Sequence, residues 1–316
     1  LISHHDCQRH NMGHGHPEEP RRLAAIHDAL VAQGIDMVLR HYTAPQATRE
    51  QLERVHPPDY VDRLRDAVPE SGLVMLDGDT LMNPHSYTAA LHAAGAVVQA
   101  VDLTLSGQVD AAFCAVRPPG HHAERARAMG FCFFNNVAVG AAHALAAHGL
   151  ERVAIVDFDV HHGNGTEDVF AGDGRVLLCS AFQHPFYPFS GADSTAPNVR
   201  NVPLPAGTKG QAWREALGAA WLATLDAFRP QLVLFSAGFD AHAADAMAGL
   251  MLTEPDYVWV TEQVKAVADR HCAGRMVSTL EGCYNLPALG GIVAAHIDVI
   301  VGFTASGLRA PGPAKA

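Results

Sequence analysis

Short apolar runs alternate with longer helical patterns along this chain, and that alternation limits the folds it can adopt. Five runs of five or six residues are rich in β-branched and other apolar side chains, at 111–116, 153–157, 176–181, 232–237 and 276–280. They are too short for buried helices and have the composition of strands that are covered on both faces. Helical patterns occupy about 20–33, 84–105, 136–148, 211–228 and 254–271.

Strands that alternate with helices predict an α/β fold with a central, mostly parallel sheet and helices on both faces. No internal repeat or long linker divides the 316 residues, so we expect a single domain over 1–316. The tail at 307–316 is rich in glycine, proline and alanine and is expected to fray.

Polar residues follow four of the predicted strands. They are His121 and His122, then Asp157, Asp159 and His161, then Asp240, and finally Tyr284. Ligands of open α/β sheets bind beyond the carboxyl ends of the strands. The convergence of these side chains on one rim therefore predicts a functional site there.

A metal site is predicted at the end of the second run. Asp157, Asp159 and His161 are spaced two residues apart, so they share one face of an extended segment. Asp159 and His161 can bind one cation together, and Asp240 would supply the third ligand. One histidine and two carboxylates leave an open position on zinc or a similar divalent metal, as in a catalytic site. The alternative is that the aspartates cap helices and the histidine is an ordinary loop residue.

The adjacent residues His121 and His122 are candidates for acid–base catalysis. Each needs a partner that orients its far nitrogen, and Asp157 and Asn164 are available. A carboxylate partner raises the pKa of a histidine more than an amide does, so the two imidazoles should differ in charge. The alternative is a polar surface loop. Tyr284 could donate its phenol hydroxyl to a developing oxyanion, or it could pack at the edge of the core.

The overall charge narrows the range of partners. The formal net charge is −11 and no basic cluster occurs, which argues against a nucleic-acid partner. The acidic surface would attract a cationic substrate, or it serves solubility alone. No apolar run approaches the ~20 residues of a membrane span, so no membrane partner is expected. Six cysteines without a C-x-x-C pair indicate reduced thiols and a cytoplasmic location.

Several motifs occur together and in a characteristic order. They are Gly15-His-Pro-Glu-Glu-Pro-Arg-Arg, Arg117-Pro-Pro-Gly-His-His, Gly130-Phe-Cys-Phe-Phe-Asn-Asn, Asp157-Phe-Asp-Val-His-His-Gly-Asn-Gly, Ser236-Ala-Gly-Phe-Asp and Glu281-Gly-Cys-Tyr-Asn. In this combination the chain resembles the zinc-dependent histone deacetylase family over about 13–300. The resemblance is strongest to the class II branch and its bacterial members, the histone deacetylase-like amidohydrolases and acetylpolyamine amidohydrolases.

The resemblance implies an arginase–deacetylase fold and one catalytic zinc held by Asp159, His161 and Asp240. It implies that His122 is the general base and acid, that His121 is an electrostatic partner beside Asp157, and that Tyr284 polarises the scissile carbonyl. The matching substrate-channel residues are Gly130, Phe131, Tyr187 and Met247. A structural potassium is implied at Asp157, Asp159, His161, Ser180 and Ala181, and a second monovalent site at the backbone of Phe170, Asp173 and Val176.

Three positions depart from the common family pattern. Asn164 replaces the Asp of the class I branch, as in class II, and Tyr187 stands where Phe is commoner. Cys283 stands where Gly is usual. It could narrow the site or react with thiol reagents, but the interpretation we favour is a small buried hydrophobic residue.

The resemblance implies hydrolysis of an acylated lysine in a protein or peptide, and a small acylated amine is the alternative substrate. Polyamine-preferring relatives place a Glu at the channel mouth, where this chain has Met247. Asp77 and Asp79 could serve instead, although we favour an ordinary turn at these residues. Whether the chain forms a homo-oligomer is left open.

Two other functions compete. An arginase-like two-metal site would need carboxylates at positions 163 and 242, which are Gly and His. A binding protein without catalysis would lack a ligand or the tyrosine, and all of these are present.

Overall fold

The centre of the fold is a parallel sheet. The computed structural model describes residues 1–304 and 307–308, with side chains through residue 302. Its strands are β1 (Ile2–Ser3), β2 (Tyr42–Thr43), β3 (Val74–Met75), β4 (Leu81–Met82), β5 (Ala111–Cys114), β6 (Val153–Asp157), β7 (Val176–Gln183), β8 (Val199–Leu204), β9 (Leu232–Ala237), β10 (Met276–Leu280), β11 (Phe303–Thr304) and β12 (Gly307–Leu308). Eight of these form the parallel sheet, in the order β2-β1-β5-β10-β9-β6-β7-β8. Two short antiparallel pairs, β3–β4 and β11–β12, lie outside it.

The chain forms ten α-helices in the described residues, and five of them make up two groups on the sheet. The ten helices are α1 (Arg21–Ala32), α2 (Arg49–Glu53), α3 (Pro58–Asp66), α4 (Ser86–Leu105), α5 (Asn136–Ala147), α6 (Asn164–Phe170), α7 (Gly210–Leu217), α8 (Ala223–Phe228), α9 (Glu254–Cys272) and α10 (Leu286–Val301). The first group, α4 and α5, packs on β5, β6, β9 and β10. The second contains α1, α9 and α10, with α9 on β9 and α10 on β5. Every residue of β6, β7, β9 and β10 is buried, because helices cover the sheet on both sides.

The predicted fold class is therefore confirmed, and the five predicted strands and five predicted helices are present. The helix predicted at 211–228 contains a π-helical turn at Gly218–Leu222 between α7 and α8. The sequence analysis missed β8, which carries Pro203 and two partly exposed polar residues, because such a strand resembles a loop. It also missed α10, which is apolar on most sides and contains Gly290 and Gly291. The part of the predicted frayed tail at 309–316 lies outside the described residues.

One expectation about apolar segments was wrong. Among the described residues, α4 is long and apolar enough by length and composition to cross a membrane. No uninterrupted apolar run of that length occurs in the sequence of α4, because alanine, glycine, threonine and histidine residues are interspersed along the helix. Within the fold, 72% of its apolar window is buried, since α4 packs against α5 and three strands of the sheet.

A pair of glycine substitutions tests the packing of α4. Gly95→Ala should destabilise the protein by roughly 1–3 kcal/mol, because a Cβ there would overlap the carbonyl oxygen of Pro45 and crowd the backbone of Ala47. In α10, a Cβ on Gly291 would meet nothing within 4 Å. Gly291→Ala should therefore stabilise by up to ~1 kcal/mol, because alanine is the better helix former. Urea unfolding measures both variants, and a Gly95→Ala protein as stable as the native one would contradict this packing.

Candidate active site

The ends of three central strands are in register, and this alignment places the polar residues of the site together. Asp157 at the end of β6 pairs with Ser180 of β7 on one side and Ser236 of β9 on the other. Leu280 at the end of β10 pairs with Ala237. The segments that follow these strands leave the sheet at the same edge, as the sequence predicts.

Asp159, His161 and Asp240 form a buried cluster of three ligand atoms that all lie within 4.8 Å of one another. Nδ1 of His161 is 3.0 Å from Oδ1 of Asp159 and 3.1 Å from Oδ2 of Asp240. The outer carboxylate oxygens are fixed by the backbone. Gly282 N–H donates to Asp159 Oδ2 at 2.8 Å, and Val160 N–H donates to Asp240 Oδ1 at 2.8 Å.

The electrostatics of this cluster fit a bound cation. Oδ2 of Asp240 is buried and accepts no hydrogen bond, although a buried carboxylate oxygen needs a partner. Burial and the charge of Asp159 raise the pKa of Asp240 to about 6. Burial opposes protonation of His161, but its hydrogen bond to Asp159 and the nearby charge of Asp240 raise its pKa to about 10. Without a metal the cluster therefore retains a proton, and a divalent cation would replace that proton.

Glycines allow the ligand carboxylates to lie against the backbone. A Cβ at position 238 would overlap the carboxylate of Asp159, and one at position 282 would overlap that of Asp240. Gly238 directly follows β9, and Gly282 stands two residues after the end of β10, in the Ser236-Ala-Gly and Glu281-Gly motifs. The close approach explains why the chain has glycine at these two positions.

The two adjacent histidines have different partners. His121 Nδ1 is 2.9 Å from Asp157 Oδ2, and His122 Nδ1 is 2.8 Å from Asn164 Oδ1. Although burial favours neutral imidazole, Asp157 and Asp159 hold the pKa of His121 well above its ordinary value. Burial, followed by the charges of His121 and His161, lowers the pKa of His122 well below its ordinary value. The pair therefore combines an imidazolium with a neutral imidazole.

Glu281 connects the tandem histidines to the tyrosine segment, and its role was missed by the sequence analysis. Its carboxylate accepts N–H bonds from Gly120 at 2.6 Å and His121 at 3.2 Å, and a hydroxyl bond from Ser236 at 2.8 Å. Burial raises its pKa to about 7. Glu281 begins the Glu281-Gly-Cys-Tyr-Asn motif, but its hydrogen-bond partners lie far away in the sequence. The spacing of residues therefore did not indicate that Glu281 supports the histidines.

Tyr284 is held in place from several directions. Its backbone N–H donates to Asp245 Oδ2 at 2.6 Å, and its ring packs edge-on against Phe131 with 5.8 Å between centroids. The guanidinium of Arg22 lies 5.0 Å from the ring centroid and donates to the carbonyl of Cys283 at 2.8 Å. Burial raises the pKa of the phenol well above its ordinary value, so the hydroxyl is a proton donor at neutral pH.

Cys283 is buried and has a backbone φ of +126°, a region that L residues rarely adopt. Burial also raises the pKa of its thiol well above its ordinary value, as expected for an inert buried cysteine.

The channel residues Gly130 and Phe131 have positive φ angles of 56° and 69°. Gly130 N–H donates to Asp79 Oδ1 and Phe131 N–H donates to Thr80 Oγ1, each at 3.0 Å. The Asp77-Gly78-Asp79 turn therefore also holds the backbone of Gly130, a predicted channel residue.

The other two predicted channel residues are Tyr187, in the segment after β7, and Met247, in the segment after β9. Tyr187 packs edge-on against His122 at 5.2 Å and against His161 at 6.0 Å between centroids. Phe186, which the sequence analysis did not single out, stacks on His161 at 5.5 Å. Met247 is partly buried, and its N–H donates to Asp245 Oδ1 at 2.9 Å.

The residues implied for potassium lie in two places. Beside Asp157, the buried hydroxyl of Ser180 has no hydrogen-bond partner, and Ala181 follows it in β7. An additional ligand such as a cation would satisfy that hydroxyl. The carbonyls of Phe170, Asp173 and Val176 also converge, and they accept hydrogen bonds from the side-chain amide of Asn198.

An arginase-like second metal does not fit this site. A Cβ at position 163 would overlap the carboxylate of Asp157, so no bridging carboxylate can occupy that position. His242 at the other required position lies 3.6 Å from Glu254 through its Nε2 atom. The donor set is therefore that of a single-metal centre.

Comparisons with known proteins agree with this geometry. Residues 16–300 match the model of the histone deacetylase domain. A histone deacetylase-like amidohydrolase from Pseudomonas aeruginosa is 39% identical over 86% of this chain and 73% of its own length. The crystal structure of the HDA15 HD domain superposes with a TM-score of 0.90 at 34% identity, covering 96% of this chain and 88% of that one.

The chain belongs to the histone deacetylase family. Within the family it resembles the bacterial-type members, and it is an amide hydrolase of the deacetylase type. Its relatives include the human polyamine deacetylase HDAC10, 36% identical over 93% of this chain and 46% of the human protein.

Asp240→Asn tests the assignment of the third metal ligand. The amide keeps the shape of the carboxylate but loses its charge, so zinc should bind at least ~10-fold more weakly, since even outer residues of metal sites contribute that much. Asp102→Asn is the control, because Asp102 lies in a more exposed cluster with His143 and His148. Elemental analysis after zinc loading and buffer exchange measures both. Full zinc content in Asp240→Asn would show that a different residue is the third ligand.

Proposed function

We propose that this deacetylase removes acyl groups from lysine side chains of proteins or peptides, using one zinc ion held by Asp159, His161 and Asp240. The observation that carries the proposal is the buried cluster of three ligand atoms within 4.8 Å of one another, one of whose residues has an unpartnered carboxylate oxygen, beside the tandem histidines and Tyr284. Zinc bound there would polarise the acyl carbonyl and lower the pKa of water. A structural potassium beside Asp157 and Ser180 belongs to the same proposal.

His122 is the general base. Its Nδ1 must carry the proton, because Oδ1 of Asn164 accepts and the amide nitrogen of Asn164 donates to Glu124 at 2.8 Å. The lone pair therefore lies on Nε2, where it can take a proton from the attacking water. The low pKa of His122 keeps this lone pair free at neutral pH.

His121 and Tyr284 supply electrostatic stabilisation. The imidazolium of His121, held by Asp157, remains charged throughout and favours the negative charge that develops in the transition state. Tyr284 donates its phenol hydroxyl to the carbonyl oxygen as that oxygen becomes an oxyanion. The protonated His122 then transfers its proton to the leaving amine, which departs as free lysine beside a carboxylate.

Tyr284→Phe should reduce kcat/KM for an acetyl-lysine peptide ~100- to 1000-fold, because it removes one oxyanion donor. The aromatic ring remains, so packing on Phe131 and zinc content should not change. Turnover of a fluorogenic acetyl-lysine peptide measures the effect. A loss of less than ~10-fold would mean that the phenol hydroxyl does not act in this way.

Asn164→Asp tests the pKa of His122. In the native protein burial and the charges of His121 and His161 hold that pKa well below its ordinary value, so the base should stay unprotonated in mildly acidic solution. A carboxylate at position 164 would stabilise the imidazolium, so the acid limb of the kcat/KM profile should move to higher pH. A pH–rate profile of both proteins reports the shift. An acid limb that stays in place or moves to lower pH would contradict the assigned base.

The channel supports lysine as the substrate side chain. Phe131 and Tyr187 offer aromatic faces to an aliphatic chain, and Met247 at the mouth carries no charge for a second ammonium group. An acetylpolyamine remains the second candidate because Asp79 bonds to the channel residue Gly130 and could meet such a group. The 36% identical relative named polyamine deacetylase is consistent with this alternative.

The ratio of kcat/KM for an acetyl-lysine peptide and for N-acetylputrescine tests the substrate. We expect the peptide to be preferred and Met247→Glu to shift the preference towards the polyamine, because the new carboxylate would pair with its free ammonium. Asp79→Asn is the comparison variant and should leave the preference for the peptide intact. A native preference for the polyamine that Asp79→Asn abolishes would establish the alternative function.

A further inference from the structure

The turn between α6 and β7 contains a cluster of inward-facing carbonyl oxygens. Phe170 is the last residue of α6, Asp173 lies in the turn, and Val176 begins β7. The carbonyl of Phe170, in the last turn of the helix, accepts the backbone N–H of Asp173 at 2.9 Å, and the carbonyl of Asp173 accepts that of Val176 at 3.0 Å. Carbonyl oxygens gathered in this way attract a cation or a strong hydrogen-bond donor.

The side chain of Asn198 occupies the point on which these oxygens converge. Its Nδ2 atom lies 2.8 Å from the carbonyl oxygen of Phe170, 3.1 Å from that of Asp173 and 2.8 Å from that of Val176. Asn198 is only 7% exposed and precedes the first residue of β8. Three oxygens therefore share the two amide hydrogens of one side chain.

The orientation of the amide is fixed by its oxygen. Oδ1 of Asn198 accepts the backbone N–H of Gly172 at 2.8 Å. Because a backbone N–H can only donate, the atom that faces it must be the oxygen, and the nitrogen must face the carbonyls. The backbone carbonyl of Asn198 accepts from Leu178 N–H at 2.9 Å, which ties the residue to β7.

Among Phe170, Asp173 and Val176, Asp173 alone carries a carboxylate that could balance a cation. The side chain of Asp173 bonds instead to Arg175, with 2.7 Å between Oδ2 and Nη2 and 3.0 Å between Oδ1 and Nε. The second monovalent cation that the family resemblance implies therefore does not fit these residues as they stand, because a neutral donor already satisfies the carbonyls.

We propose that the amide of Asn198 replaces the second monovalent cation, so that this chain joins α6, the following turn, β7 and β8 without an ion. With the amide in place of the cation, the stability of this segment does not depend on potassium. A carboxylate in place of the amide would instead face three carbonyl oxygens with a negative charge, and would recruit a cation.

Crystals of the native protein soaked in RbCl test the proposal directly, because rubidium is a potassium analogue with an anomalous signal. We expect no anomalous peak among the carbonyls of Phe170, Asp173 and Val176. A peak there, with Asn198 displaced, would overturn the proposal. Ser180 lies four residues beyond Val176 in β7, roughly 13 Å along an extended strand, so the site beside Asp157 and Ser180 is scored separately in the same crystal.

Thermal unfolding in solution provides the second test, with KCl exchanged for choline chloride at constant ionic strength. Asn198→Asp should unfold at a lower temperature than the native protein in choline chloride, and potassium should raise its Tm by ~3 °C or more beyond any rise in the native protein. Asp173→Asn is the control and should respond to potassium as the native protein does. A native protein that gains as much from potassium as Asn198→Asp would contradict the replacement.

Discussion

The site depends on the burial of four carboxylates at one edge of the sheet: Asp157, Asp159, Asp240 and Glu281. Burying an ionised carboxylate costs several kcal/mol unless a cation or hydrogen-bond donors compensate it. Asp157 is compensated by His121, and Glu281 by two backbone N–H groups and a hydroxyl. The single imidazole nitrogen of His161 lies near both Asp159 and Asp240 but hydrogen-bonds to Asp159, which leaves Oδ2 of Asp240 without a hydrogen-bond partner. The fold therefore creates a requirement for positive charge at the point where the proposed chemistry needs a Lewis acid.

The same charges divide the roles of two chemically identical histidines. Asp157 and Asp159 favour the imidazolium form of His121, and that positive charge in turn disfavours protonation of His122. Asn164 fixes the tautomer of His122 without adding charge. A base and an electrostatic partner thus arise from adjacent residues, because the end of β6 supplies Asp157 to one histidine and the start of α6 supplies Asn164 to the other.

The strands and the site residues that follow them could be predicted because buried parallel strands are short apolar runs and their carboxyl ends share one edge. Interactions between residues that are far apart in the sequence could not be predicted in this way. Arg22 bonds to the carbonyl of Cys283, 261 residues away, and Asp245 binds the backbone of Tyr284 from a separate loop. β8 could not be predicted because it contains a proline and partly exposed polar residues. The role of the Asn198 side chain could not be predicted either, because it depends on carbonyl groups that two other elements bring to it. Periodicity identifies elements, but it does not identify which polar groups meet when those elements pack.

The most direct measurement of the central claim is a zinc titration of metal-stripped protein, followed by the release of acetate and free amine from an acetyl-lysine peptide. One buried set of Asp159, His161 and Asp240 predicts no activity without metal and a linear rise that ends at one zinc per chain. Acetate and free amine should appear in equal amounts, because hydrolysis of one amide yields one of each. Full activity in the metal-stripped protein, or a rise that continues to two metals per chain, would contradict the account.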